Sequence, residues 1–292
     1  MRAALIKLLL RFFARLPLRM AHALGAIIGT WLVFMPNKLR AITRINIALC
    51  FPTMGEQERK RLLHRSLIET GKTLTEMGAL WLWPGDKMLA LVSRVSGEHL
   101  VKEALAQGKG MILAAPHLGA WEVVGLYCSA HYPITSLYRP PRMSALDNMM
   151  RAARQRLGAT LVPTDAGGIR ALYRALEKGE MVGILPDQEP GAGAGVFAPL
   201  FGVPAYTMVL VARLALKTKA PVIFAYAERL PLSSGYHLHF LRAPPALHEG
   251  SVEDSTRAVN AMVEECVRAL PDQYQWSYKR FRSRPTGEKR LY

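Results

Sequence analysis

The spacing of apolar residues changes near residue 96, and that change predicts the architecture. In "LIKLLLRFFARLPLRM", Lys7, Arg11, Arg15 and Arg19 recur every four residues beside leucine, isoleucine and phenylalanine. This is the pattern of an interfacial amphipathic helix with a basic stripe. Residues 20–35, "MAHALGAIIGTWLVFM", follow without a formal charge. They are fewer than the roughly 20 that a spanning helix needs. From residue 36 to about 96 apolar residues stand three or four apart, as in "ERKRLLHRSLIETGKTLTEMGALWLW", and the stretch reads as helical. Beyond it come the short apolar runs "GMILAAP", "ITSLYR", "ATLVP", "MVGILP", "PVIFAYAE" and "YHLHFLR", several separated by helical stretches such as "SALDNMMRAARQRL" and "GGIRALYRALEKG". Alternating strands and helices predict an α/β fold: a mixed, mainly parallel sheet flanked by helices, behind an N-terminal membrane-attaching helical segment. The segment is assigned to residues 1–40 and the main domain to residues 41–292. Sites in such sheets gather at the carboxyl ends of strands, where His117, Arg139 and Asp187 all fall.

At 292 residues, half of them hydrophobic, the chain is expected to form one main domain. Its net charge is +16, but the ends carry most of it: residues 1–55 hold eight basic and no acidic residues, and residues 279–292 hold six against Glu288. Basic charge beside apolar residues fits attachment to an anionic membrane surface, with a buried core helix as the alternative for residues 20–35. A signal peptide fits less well, because arginines interrupt the first apolar run and no clean A-x-A site follows. Basic residues flank the segment on both sides, and the basic catalytic side favours the cytoplasm. No basic stripe interleaved with aromatics and no nucleic-acid reading motif occurs, so no nucleic-acid partner is expected. Cys50, Cys128 and Cys266 are widely spaced and form no C-x-x-C pair, which points to a reducing compartment and away from a disulfide framework or structural zinc.

The stretch "ILAAPHLGAWE" at residues 112–122 places His117 five residues before Glu122. On one continuous helix the two would point about 140° apart and could not cooperate. If "GMILAAP" is a buried strand and the helix begins just after the histidine, His117 stands on the entry loop and Glu122 in the first turn or two, where they can meet. The alternative is a satisfied loop histidine beside an exposed glutamate.

"GKGMILAAPHLGAWE", "LYRPPR", "GILPDQEPGAGAGVFAPLFGVPAYT" and "QWSYKRFRSRPTG", with the upstream "RINIALCFP", resemble in order and spacing the late acyltransferases of lipid A biosynthesis, within the wider lysophospholipid acyltransferase superfamily. The resemblance covers nearly the whole chain. It implies transfer of a fatty acyl chain from acyl carrier protein to a hydroxyl of a lipid A precursor, at the bacterial inner membrane with the catalytic domain facing the cytoplasm. The superfamily's glycerolipid branch usually has Asp where this chain has Glu122, whereas glutamate is common in the lipid A branch.

The chemistry such a transfer needs is present. A neutral imidazole, His117, can take the proton of an attacking alcohol, and a carboxylate, Glu122, can accept a hydrogen bond from the other ring nitrogen and fix its tautomer. Backbone N–H groups near Gly119 are candidate oxyanion donors. Arg139 resembles the family's second motif and is expected, with Arg142, to bind a phosphate or polar head group; a surface arginine ending a strand is the alternative. Asp187 and Gln188, in the third motif, are candidates to support the arginine or the acceptor, or to form a structural ion pair. "GAGAG" at residues 191–195 lacks the Gly-Lys-Ser/Thr of a phosphate loop and reads as a mobile loop over the site. His237 and His239 share one face of a strand, but no matching carboxylate spacing accompanies them, so no metal and no cofactor are expected. The rival readings are acylation of a glycerophospholipid or another envelope lipid, a nonenzymatic membrane-surface binding protein, and a metal-dependent hydrolase using His117 and Glu122.

Overall fold

The computed structural model describes residues 2–141 and 143–292. Arg142, one of the candidate head-group ligands, lies outside the described residues. The N-terminal third is helical: α1 (Arg2–Arg15), α2 (Leu18–Phe34), α3 (Lys38–Cys50), α4 (Glu56–Leu82) and α5 (Gly85–Leu89). Prolines punctuate it, since Pro17 stands before α2 and Pro84 before α5. Asn37 caps α3 by accepting a hydrogen bond from the Arg40 N–H at 2.9 Å.

The α/β part then runs β1 (Val92–Ser96), α6 (Glu98–Leu105), β2 (Met111–Ala114), α7 (Trp121–His131), β3 (Ile134–Tyr138), α8 (Asp147–Gln155), β4 (Thr160–Pro163) and α9 (Ala166–Glu177). It continues with β5 (Met181–Ile184), β6 (Gly195–Leu200), β7 (Val203–Met208), α10 (Leu210–Thr218), β8 (Val222–Arg229), β9 (Tyr236–Arg242) and α11 (Val252–Ala269). All six apolar runs become strands. They join β1 in a seven-stranded sheet of order β1-β9-β8-β2-β5-β3-β4, in which only β8 and β9 pair antiparallel. The mixed, mainly parallel sheet is therefore as expected.

Successive residues of a strand face opposite sides, so the central strands feed two cores at once. Ile112, Ala114, Val182 and Phe224 pack against α9, α10 and α11 through Leu172, Val211 and Val263. Their neighbours Met111, Leu113, Ile223 and Ala225 pack against α6 and α7 through Val101 and Val124.

Two features were not read from the sequence. β1 falls inside the stretch expected to be helical; it is a five-residue edge strand, "VSRVS", with no fully buried position. The β6–β7 hairpin forms a separate two-stranded sheet, and "GAGAG" is the exposed turn that leads into it.

α2 lies along α4 at backbone contact. A Cβ at Gly25 would stand 2.6 Å from the Lys72 Cα, and one at Gly71 would overlap the Gly25 carbonyl. The buried face of α2 holds Leu18, Ala21, His22, Gly25 and Gly29. Its other face exposes Met20, Ile27, Trp31 and Phe34, and α1 exposes Leu5, Leu8 and Phe12. Among the described residues no single helix is long and apolar enough to cross a membrane; α2 and α3 meet that test only as a pair bent by 78°.

The α2–α4 contact generates a direct test. Gly71→Ala is expected to cost about 1–3 kcal/mol, the range for overpacking a filled contact. Gly191→Ala, in the exposed turn where a Cβ meets nothing within 4 Å, serves as the neutral comparison. Denaturant midpoints of the two variants check this, and equal midpoints would refute it.

Candidate active site

Two neighbouring strands build the centre of the site. β2 and β5 run parallel with Ala114 opposite Ile184. His117 and Asp187 each stand three residues further on, so the register brings them together as the two chains leave the sheet. The Asp187 carboxylate accepts from the His117 ring Nδ1 at 2.7 Å and from the His117 backbone N–H at 2.9 Å. One side chain thus fixes both the loop and the ring. With Nδ1–H donated to Asp187, the Nε2 lone pair points the other way. The Gln188 amide sits 3.1 Å from Nε2 and also donates to Gln275 Oε1 at 3.0 Å. The Gln275 N–H in turn donates to the His117 carbonyl at 3.1 Å. Burial pushes the Asp187 carboxyl up, but His117, by charge and by these hydrogen bonds, holds it below the usual carboxylate range.

The loop that carries His117 is sewn down on both sides. Gly119 adopts φ +61°, and a Cβ there would collide with the Ala227 carbonyl, so this close approach requires glycine. The Ala120 N–H donates to that same carbonyl at 2.8 Å, and the Gly119 N–H donates to the Gln273 carbonyl at 3.1 Å. α7 starts at the next residue, Trp121, as the spacing argument expected.

Glu122 does fall in the first turn of α7. The expected bond to the histidine ring is not what the fold makes, however, because the ring's carboxylate partner is Asp187. Glu122 turns instead toward α8 and accepts from Arg154 Nε at 2.9 and 3.2 Å and from Nη2 at 2.5 Å. Burial raises the Glu122 carboxyl, the Arg154 guanidinium outweighs it, and the net shift is downward. Gly119 likewise departs from its expected role, since its N–H is committed to Gln273 and is not directed at a substrate. Arg139 is exposed at the carboxyl end of β3, which β5 separates from β2. Asp187 and Gln188 therefore converge on the histidine rather than on an arginine.

An apolar pocket opens beside this centre between α7, α8 and the sheet. Leu113, Leu126, Ile134 and Leu137 line it, and the Glu122–Arg154 pair forms part of its wall. Trp121 belongs to the same wall, and its ring centroid lies 5.1 Å from that of His117. Behind the loop lies a fully buried carboxylate, Glu76 of α4. It accepts from Arg229 Nε at 2.9 Å, His22 Nε2 at 3.0 Å and Tyr236 Oη at 3.2 Å. Arg229 Nη2 also donates to the Gly119 carbonyl at 2.9 Å. Burial raises the Glu76 carboxyl, and Arg229 and His22 pull it down to about 2.

Arg154, Gln275, Glu76 and Arg229 were missed in the sequence. Gln275 lies within the quoted "QWSYKR" motif, which was the available signal; the other three stand in no motif.

A mixed α/β sheet with a histidine–carboxylate pair at its strand ends, beside an apolar pocket, suits an enzyme that moves a proton on a substrate with an apolar part. The family model described as bacterial lipid A biosynthesis acyltransferase matches residues 3–283, and the chain belongs to that family. It is 30% identical to the lipid A biosynthesis lauroyltransferase of Escherichia coli (strain K12), over 94% of this chain and 89% of the relative. It is 28% identical to the palmitoleoyltransferase of the same strain, over 96% and 90% of the two chains. A lipid A biosynthesis acyltransferase of Haemophilus influenzae is 29% identical over 96% and 87%.

The Glu76 network predicts a specific acid response. A carboxyl held below its ordinary 4.5 stabilises the fold above that pH, and the contribution is lost as pH falls toward about 2. Unfolding free energy should therefore drop across this window, and less steeply in Glu76→Gln. That variant leaves the buried Arg229 with only the more distant Glu69, at 3.5 Å, as a carboxylate partner, and should itself cost about 3–5 kcal/mol near neutral pH. Denaturant unfolding of both proteins at several pH values checks this; parallel curves would exclude it.

Proposed function

We propose that this acyltransferase of lipid A biosynthesis moves a fatty acyl chain from acyl carrier protein to a hydroxyl of a lipid A precursor, with His117 as general base. The observation that carries the reading is the bond from His117 Nδ1 to the buried Asp187, which leaves Nε2 as the proton acceptor. Nε2 takes the hydroxyl proton as the oxygen attacks the thioester carbonyl. The C–S bond breaks as the tetrahedral centre collapses, and the proton passes to the departing thiolate. The Gln188 amide occupies the Nε2 lone pair in the resting arrangement, so the acceptor hydroxyl replaces it there. The Trp121 and Glu122 N–H groups, the first two of α7 and without an intrahelical partner, are the candidate oxyanion donors in place of Gly119.

The apolar pocket suits the acyl chain, and Glu122 contributes by holding Arg154 in its wall. Arg139 and Arg142 are assigned to a phosphate or polar head group of the acceptor. Residues 1–40 are assigned to the inner membrane on the cytoplasmic side, where the exposed apolar faces of α1 and α2 support attachment beside their basic residues. The basic ends also suit an acidic carrier protein.

Transfer rates per folded enzyme, with acyl carrier protein as donor, test the assignment. His117→Ala should lose about 10²- to 10⁴-fold, the range for a removed general base. Asp187→Asn should lose nearly as much, and the double variant should be scarcely worse than His117→Ala, because the two act as one unit. Glu122→Gln acts through the pocket wall, so its loss should multiply with that of Asp187→Asn. Near wild-type turnover in His117→Ala would remove the mechanism.

Chain selection offers an independent test. Gly125 lines the pocket, and a Cβ there meets nothing within 4 Å. Gly125→Phe should fold normally, helped by the better helix propensity, yet shift transfer toward shorter acyl chains. An unchanged product distribution by mass spectrometry would separate the pocket from the acyl chain.

A further inference from the structure

Glu228, His237 and His239 lie outside the machinery described above, and the fold brings them together across two strands. β8 and β9 pair antiparallel with Glu228 directly opposite His237 and Tyr226 opposite His239. Alternation along the strands then places Glu228 and both histidines on one face. Glu228 Oε2 stands 3.0 Å from His239 Nε2 and 3.8 Å from His237 Nδ1. One atom from each of the three side chains lies within 4.8 Å of the other two. Ligands bound about 2.0–2.2 Å from a tetrahedral zinc ion are separated by about 3.3–3.6 Å, so small rotations suffice to converge them.

We propose that Glu228, His237 and His239 form a binding site for a divalent transition-metal ion of the zinc type. Two imidazoles with one carboxylate favour such an ion over calcium or magnesium, which take oxygen ligands. The histidine support fits. His237 Nε2 is 2.8 Å from the Ser96 hydroxyl on β1, which orients the ring with Nδ1 toward Glu228. Tyr226 stacks on the His239 ring with centroids 4.6 Å apart and holds its plane. The side chains of Glu228 and His239 keep 30% and 23% of their surface exposed, so an ion can enter and retain water in the remaining position. Arg94 on β1 opposes the ion's charge from the exposed edge, and Glu228 offsets it.

The position suggests what occupancy does. Glu228 lies between Ala227, whose carbonyl accepts from Ala120, and Arg229, whose guanidinium holds the Gly119 carbonyl. An ion at Glu228 would tie the end of β8 to β9 and stiffen the strand that anchors the catalytic loop. Its role is structural, and the acyl transfer reaction does not pass through it.

The test uses the full chain in detergent, first stripped with a chelator and then titrated with Zn²⁺ against a chromophoric competitor. One ion per chain is expected, with the thermal midpoint rising by several degrees at about 100-fold excess over Kd. Co²⁺ in place of Zn²⁺ should give the absorption of a tetrahedral site. Glu228→Gln and His239→Gln should each weaken binding at least tenfold, whereas His117→Ala should leave it unchanged. Should His239→Gln fail to fold, Glu228→Gln decides. No saturable binding, equal binding in wild type and Glu228→Gln, or equal loss in His117→Ala would each overturn the proposal.

Discussion

The buried ion pair between Glu76 and Arg229 is the contact on which the rest of this structure depends. A fully buried carboxylate is tolerated only when its lone pairs are filled, and Glu76 fills them from α2, β8 and β9 at once. Arg229 also donates through Nη2 to Thr73 and the Gly119 carbonyl and through Nη1 to Glu69 and Gln273. The helical N-terminal region and the loop bearing the histidine are thereby held by one charged cluster. Hydrophobic burial is non-directional and could be satisfied by several tilts of α4 against the sheet; the fork of a guanidinium selects among them.

The same economy governs the histidine. Its position follows from the parallel register of β2 and β5, which delivers His117 and Asp187 to one place without any special turn. The C-terminal segment then closes over the loop. The carbonyl of Gln273 accepts from Gly119, and the N–H of Gln275 donates to His117. The Asn46 amide of α3 in turn donates to the carbonyls of Trp276 and Tyr278 at 2.7 Å each. Residues more than two hundred positions apart therefore orient one imidazole, and the site exists only in the complete fold. An imidazole held at both nitrogens and through its backbone is already oriented, and the proposed general-base role would gain from the entropy saved.

Much of this was legible in the sequence. The runs of β2, β5 and β8 were the plainest, because burial on both faces leaves a continuous hydrophobic signature. The helix does start after His117, although the pairing with Glu122 that suggested this is not made. β1 escaped notice because an edge strand with polar, exposed positions carries no such signature. The partner of the ring was misassigned for a related reason. Glu122 is close in sequence, whereas Asp187 is close only once β2 and β5 pair, and register between distant strands is not a local property. Arg154 was invisible on the same ground, standing in an amphipathic helix with no motif around it. The carboxylate beside His237 and His239 was likewise absent from local spacing, since Glu228 arrives from the neighbouring strand.

The contact between α2 and α4 fixes the direction of the exposed apolar face of α2. Glycines at Gly25, Gly29 and Gly71 bring the two backbones together, and His22 adds a hydrogen bond to Glu76 from the same face of α2. This fixes the rotation of α2 about its own axis, so Ile27 and Trp31 point away from α4. Since Glu76 also binds Arg229, and Arg229 the Gly119 carbonyl, the direction of that apolar face is set relative to the imidazole. An attaching helix joined by a flexible linker would leave the angle between membrane and site free, and each encounter with an acceptor would have to fix it again. Here the direction of the apolar face relative to the imidazole is built into the core. Under the proposed function, in which that face meets the membrane and His117 is the base, a hydroxyl on a membrane-embedded acceptor would approach along a restricted set of directions, the orientational advantage a two-substrate transfer needs.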